Sequence, residues 1–151
     1  MLFSLAVTEG VGYQKGRRSE GMKIDFVDIS RAFFQADAIR RVFVQLCDED
    51  QQEGMCGLLN KSMYGTRDAV QNWGEAYMRF MQEIGFIKGK YSPCTFWHPK
   101  RKMRCVVHGD DFTVLGYEGD LDWFWKNIKG KFESKHRGRI GPGLKEKKVM
   151  R

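Results

Sequence analysis

Apolar residues recur along this chain at two spacings, and the change from one to the other marks its elements. In "MKIDFVDI", residues 22–29, Ile24, Phe26 and Asp28 alternate onto one face, the period of a strand. "RVFVQL" (41–46) predicts a second strand and "MCGLLN" (55–60) a short third. From about 67 to 84 the spacing becomes three and four. Val70, Trp73, Tyr77, Phe80, Met81 and Ile84 form one helical stripe, with Thr66 as N-cap and Gly85 as the stop. "CTFWH" (94–98) and "MRCVVH" (103–108) read as a hairpin across "PKRK", and "FTVLG" (112–116) pairs back on the second of these across "HGDD". A second helix starts near Asp120, with Leu121, Phe124, Ile128 and Phe132 on one face. Residues 2–7 are apolar and predict a helix end before Gly10 and Gly12, and 13–21 read as a loop. Strands mixed with two helices and at least two hairpins predict an α+β fold with an antiparallel sheet.

Composition narrows the class. The chain has 151 residues, 42% of them hydrophobic and 13% aromatic, enough for a buried core and against a disordered chain. No apolar stretch approaches the roughly 18 residues of a membrane span, and "MLFSLAV" is too short for a signal-peptide core. The expected setting is intracellular, cytoplasmic or nuclear, without a membrane partner. The net charge of +7 is unevenly placed. From Lys126 to Arg151 ten Lys or Arg stand against two Glu, a net of +8; the first 125 residues carry sixteen basic and seventeen acidic residues, a net of −1. Such a segment suits a polyanion, whose counterions it releases, or forms a solvated tail.

Four cysteines, Cys47, Cys56, Cys94 and Cys105, form no Cys-x-x-Cys pair. Cys94, His98, Cys105 and His108 have the ligand types of a zinc site, but Cys105 and His108 differ in strand parity and point apart. Reduced thiols are the simpler expectation. Trp123, Phe124 and Trp125 cannot share one helix face; core packing accounts for them more simply than base stacking.

Three carboxylates fall at predicted strand ends: Asp28, Asp110 and Asp111. Gly109 supplies the positive φ that a tight hairpin turn requires, and Gly-Asp is also ordinary turn chemistry. If strands 22–29 and 104–116 are neighbours, Asp28 and Asp110 converge. Converging carboxylates call for a cation. Hard oxygen ligands suit Mg²⁺, and a pair of ions roughly 3.5–4 Å apart suits in-line phosphoryl transfer.

"DFVDISRAFFQA", "LLNKSMYGTRDAVQNW", "EIGFIKGKYSPCTFWH" and "VVHGDDFTVLG" occur in that order. Together, over about residues 22–134, they resemble the reverse transcriptase domain of copia-type retrotransposon polyproteins. The resemblance implies that Asp28 is the first metal-binding aspartate of a polymerase palm and that Asp110 and Asp111 are the aspartate pair of its Tyr-x-Asp-Asp hairpin. It implies that Phe33 is the aromatic that blocks a ribose 2′-hydroxyl, and that Tyr64 and Gly65 open the motif lining the nucleotide and template site. His108 stands where the family usually has Tyr, and Asp68-Ala69-Val70 where it often has Gln-Ala-Pro.

The implied organisation is a partial fingers or linker segment (1–21), a palm-like antiparallel sheet packed on two helices (22–134) and a basic C-terminal tail (135–151), with fingers and thumb incomplete. The implied activity is RNA-directed DNA polymerisation by two Mg²⁺ ions, with Mn²⁺ as a substitute. Asp28, Asp110 and Asp111 would be both the catalytic residues and the metal ligands. Partners would be an RNA or DNA template with primer, deoxynucleotide triphosphates and the remainder of a polyprotein. The alternatives are a nucleic-acid-binding remnant without turnover and a plain interaction domain whose Gly-Asp-Asp is only a turn.

Overall fold

The computed structural model describes residues 1–8, 10–13, 15 and 21–144. The architecture is α+β, as expected, built on a six-stranded antiparallel sheet with three α-helices. The chain divides into two compact units, one formed by 1–30 with 81–151 and the other by 31–80.

The first unit opens with α1 (Leu2–Val7) and β1 (Lys23–Ile29). It continues with β4 (Ile87–Lys88), β5 (Thr95–His98), β6 (Met103–His108), β7 (Asp111–Gly116), α3 (Glu118–Lys131) and β8 (Ser134–Ile140); β2 (Phe43–Val44), β3 (Gly57–Leu58) and α2 (Ala69–Glu83) belong wholly or partly to the second unit. Strand order is β4-β5-β6-β7-β1-β8. Both predicted hairpins form, β5 with β6 and β6 with β7. β7 then pairs with β1 in a register that sets Ile24 against Leu115, Phe26 against Thr113 and Asp28 against Asp111. Directly paired residues share a face, so each of these pairs stands on the same side of the sheet.

The two faces differ. Val27, Ile29, Phe112 and Val114 point to the side that α3 covers, where Leu121, Phe124 and Ile128 are buried. The Phe112 and Phe124 rings lie 6.5 Å apart. On the other face α1 lays Leu2 against Met22, Ile24 and Leu115, with Phe26 and Val106 alongside. That face is covered at the Ile24 end and carries the carboxylates at the Asp28 end.

The polar segment after Lys135 corrects the expectation of a tail. Residues 134–140 form β8, paired antiparallel with β1. Its polarity has a physical reason: it is the sheet's edge, and its charged side chains pair with others. The rest of the expected tail, 145–151, lies outside the described residues.

In the second unit a short 3-10 turn (Ala32–Gln35) precedes β2 (Phe43–Val44) and β3 (Gly57–Leu58), a two-stranded ribbon shorter than the predicted strands. An isolated Asp37–Lys61 bridge, an ion pair of 2.6 Å and a buried Asn72–Ser62 hydrogen bond of 2.9 Å tie the unit together. The predicted helix is α2 (Ala69–Glu83), which begins in this unit and ends in the other. It starts later than expected: the Thr66 hydroxyl donates to the Met63 carbonyl instead of capping. Its stripe runs through Ala69, Trp73, Tyr77, Phe80 and Met81, while Val70 is exposed. Gly85 ends it as predicted, at φ +94, with the amides of Gly85 and Phe86 reaching back to the carbonyls of Gln82 and Met81.

Candidate functional site

The β6–β7 hairpin closes through a two-residue loop, since His108 pairs with Asp111. Gly109 has φ +62, the left-handed value that a type II′ turn needs at this position. Asp110 follows at the tip, and its carbonyl accepts a hydrogen bond of 3.0 Å from the Ile29 amide. The tip is therefore fastened to the end of β1, where Asp28 stands opposite Asp111. Cross-strand pairs of this kind have Cβ atoms about 4.5–5.5 Å apart. Asp28 and the hairpin aspartates thus meet at one sheet end, with Asp111 rather than Asp110 in register with Asp28.

Two of these charges act on the third. Partial desolvation, then the negative charges of Asp110 and Asp28, raise the Asp111 carboxyl above its ordinary value, with Arg137 and His108 pulling the other way. Arg137 reaches the cluster through an irregularity of β8. Gly138 pairs with Phe26 and His136 with Val27, so Arg137 is the extra residue of a β-bulge. A bulge re-aims a side chain across its strand. Here the guanidinium donates to Asp28 Oδ2 at 3.0 Å.

In this arrangement the cation that meets Asp28 is the Arg137 guanidinium. Among the described residues no three His, Cys, Asp or Glu side chains form a group able to hold a metal. The zinc-type pattern is dispersed as well: Cys105 is buried on the helix-covered side, where burial drives its thiol pKa far up, while His108 is exposed at the hairpin tip.

The other expected site residues lie in the second unit. Phe33 and Tyr64 pack at 4.4 Å between ring centroids with their planes tilted by 42°, Phe34 meets Tyr64 edge-on at 5.5 Å, and Gly65 turns the chain at φ +87. The structure thus brings Asp28, Asp110 and Asp111 together in one unit, and Phe33, Tyr64 and Gly65 together in the other.

Arg137, at the acidic end, escaped the sequence reading because bulges leave no periodic trace. Gly138 was the available signal, since a glycine inside a strand pattern often marks one.

The mutual repulsion at the hairpin makes a prediction. A carboxyl whose folded pKa lies above its unfolded one binds its proton more tightly in the folded state. Stability is then lost as pH rises through the window above the ordinary value of 3.8. Asp111→Asn should therefore melt above the parent at pH 7, and the difference should vanish below about pH 3.8. Thermal melts of both chains between pH 3 and 7 check this. An aspartate that merely held the turn would give the opposite sign at neutral pH.

No protein-family profile matches the chain. Over 106 residues, 66% of its length, it is 22% identical to a retrovirus-related Pol polyprotein from transposon TNT 1-94 of Nicotiana tabacum. It spans only 8% of that polyprotein. The similarity supports a retrotransposon origin. Among the described residues, no helix is long and apolar enough to cross a membrane.

Proposed function

We propose that this chain is the palm portion of a retrotransposon reverse transcriptase, and that by itself it binds nucleic acid without extending a primer. The observation that carries the reading is the register of Asp28 against Asp111, beside Asp110 at a glycine-started hairpin tip. A hairpin that only needed a turn gains nothing from placing Asp111 where two neighbouring carboxylates disfavour its ionisation. The likeness to a transposon polyprotein supports the same origin.

Turnover asks for more than carboxylates. Positioning of primer end and nucleotide contributes roughly 7–11 kcal/mol of a barrier of this kind. This chain spans a small part of its polyprotein relative, and Asp28 is engaged by Arg137. Mg²⁺ remains the ion that oxygen ligands of this type favour, but the carboxylates would have to rearrange to take it. In the proposed parent enzyme Phe33, Tyr64 and Gly65 would line the nucleotide and template side, and the partners would be a primed template and deoxynucleotides.

The test pairs a labelled primer–template with the purified chain. Anisotropy at two salt concentrations should show binding that weakens steeply as salt rises, because phosphate contacts release counterions. Primer extension with Mg²⁺ should be absent or very slow. Robust extension abolished by Asp110→Ala would show that a minimal palm suffices. Absence of binding at low salt would favour a plain interaction domain.

A further inference from the structure

The turn between β5 and β6 holds three consecutive cations, Lys100, Arg101 and Lys102. Lys102 sits at φ +52, a left-handed conformation that favours glycine and strains a side chain. Arg101 is held on three sides. It donates to Asp120 Oδ1 at 2.7 Å, its guanidinium lies 4.0 Å from the Trp123 ring centroid, and its amide donates to His98 Nδ1 at 3.3 Å. His98 is buried between Phe86 and Trp123, at ring distances of 5.1 and 5.5 Å. Burial and the Arg101 charge lower its pKa, so it serves as a neutral acceptor that positions the turn.

The three cations, with His98, Tyr117, Asp120 and Trp123, wall an open cavity of about 600 Å³. Its lining has three cations against the single carboxylate of Asp120, an excess of two positive charges. It lies on the helix-covered side, at the sheet end where Met103 neighbours His98 and Lys23 pairs with Gly116. Asp28 and Asp111 occupy the opposite end and the opposite face. A ligand here is therefore a different group from anything that meets the acidic hairpin.

We propose that this cavity binds a phosphate group, either the terminal phosphate of a nucleotide or a phosphodiester of a nucleic-acid strand. A terminal phosphate, close to a dianion at neutral pH, matches the excess charge, and a phosphodiester offsets half of it. The phosphate oxygens accept from a pre-set guanidinium and two exposed ammonium groups, the arrangement that phosphate recognition uses. The site stands whether or not the polymerase reading above holds.

The test is an NMR titration of the full chain at constant ionic strength, following the Trp123 indole N–H and the Arg101 side chain. The probes are inorganic phosphate, a nucleoside monophosphate, and a short single-stranded oligonucleotide lacking terminal phosphates. Saturable shifts are expected, weakened at least tenfold in the Lys100→Ala, Lys102→Ala double variant, whose substitutions are at exposed positions, and unchanged in Asp110→Asn. Shifts with phosphate and monophosphate alone assign a terminal-phosphate site. Shifts with the oligonucleotide as well assign a backbone site. Absence of saturable shifts, or equal affinity in the double variant, overturns the proposal.

Discussion

Replacing Asp25 by Ala is expected to cost about 3–5 kcal/mol, the loss typical when a buried ion pair is broken from one side. Asp25 has no exposed surface. Both its oxygens are bound by Arg139, at 2.6 and 2.9 Å, and His136 Nε2 lies 3.1 Å from Oδ2. The hydrogen bond from Arg139 to Asp25 leads the causes that raise the arginine's pKa. Arg139 also reaches Asp122 on α3 at 2.7 Å, so this one guanidinium joins β8, β1 and α3. The Asp25→Ala chain would keep a largely buried guanidinium with only its exposed partners, whose contribution is small. The denaturant midpoint measures the loss. Asp25→Asn, which keeps the volume and one acceptor, should lie between Ala and the parent. Amide exchange should rise first in β8, because that edge strand holds to the sheet through β1 alone. A loss under about 1 kcal/mol would mean that solvent reaches the pair more freely than its burial indicates.

This network explains what could be read from the chain and what could not. Gly85 and Gly109 were legible because their signals are local: each ends or turns an element beside apolar residues that define its period. The carboxylate at Asp28 was legible for a related reason, as a charge ending an alternating run. Asp25 was hidden in the same run. β1 is covered on both faces, and its partner Arg139 lies 114 positions away. No pattern within a strand announces a partner at that distance. β8 reads as a tail because "SKHRGRI" lacks apolar alternation, yet its charges are the contacts that dock it. The start of α2 differs from the expected one for a smaller reason: Thr66 has the chemistry of a cap, but its hydroxyl satisfies a nearby carbonyl. The acidic site was thus half visible. The aspartates follow from the hairpin, whereas Arg137 depends on a bulge that only the pairing of two strands reveals.

Phe112→Ala should cost about 3–5 kcal/mol, the usual range for emptying a well-packed aromatic site. Phe112 is fully buried, flanked in register by Val27 and Val107 and facing Phe124 of α3. Its position in the sequence makes it more than filling. Side chains of a strand alternate, so the ring that points into the core obliges Asp111, one residue earlier, to point out of it. A slip by one residue would bury Asp111 and expose Phe112, and the apolar cost of exposing that ring forbids it. The core thereby holds a carboxylate where neighbouring charges disfavour its ionisation. Two adjacent substitutions should consequently move stability in opposite directions at neutral pH: Phe112→Ala sharply down, and Asp111→Asn up. Urea unfolding of the two variants and of the milder Phe112→Leu, which should lose less than Ala, measures this directly. A Phe112→Ala loss below about 1 kcal/mol would mean that the hairpin register is held by Gly109 and the backbone ladder instead of by the ring.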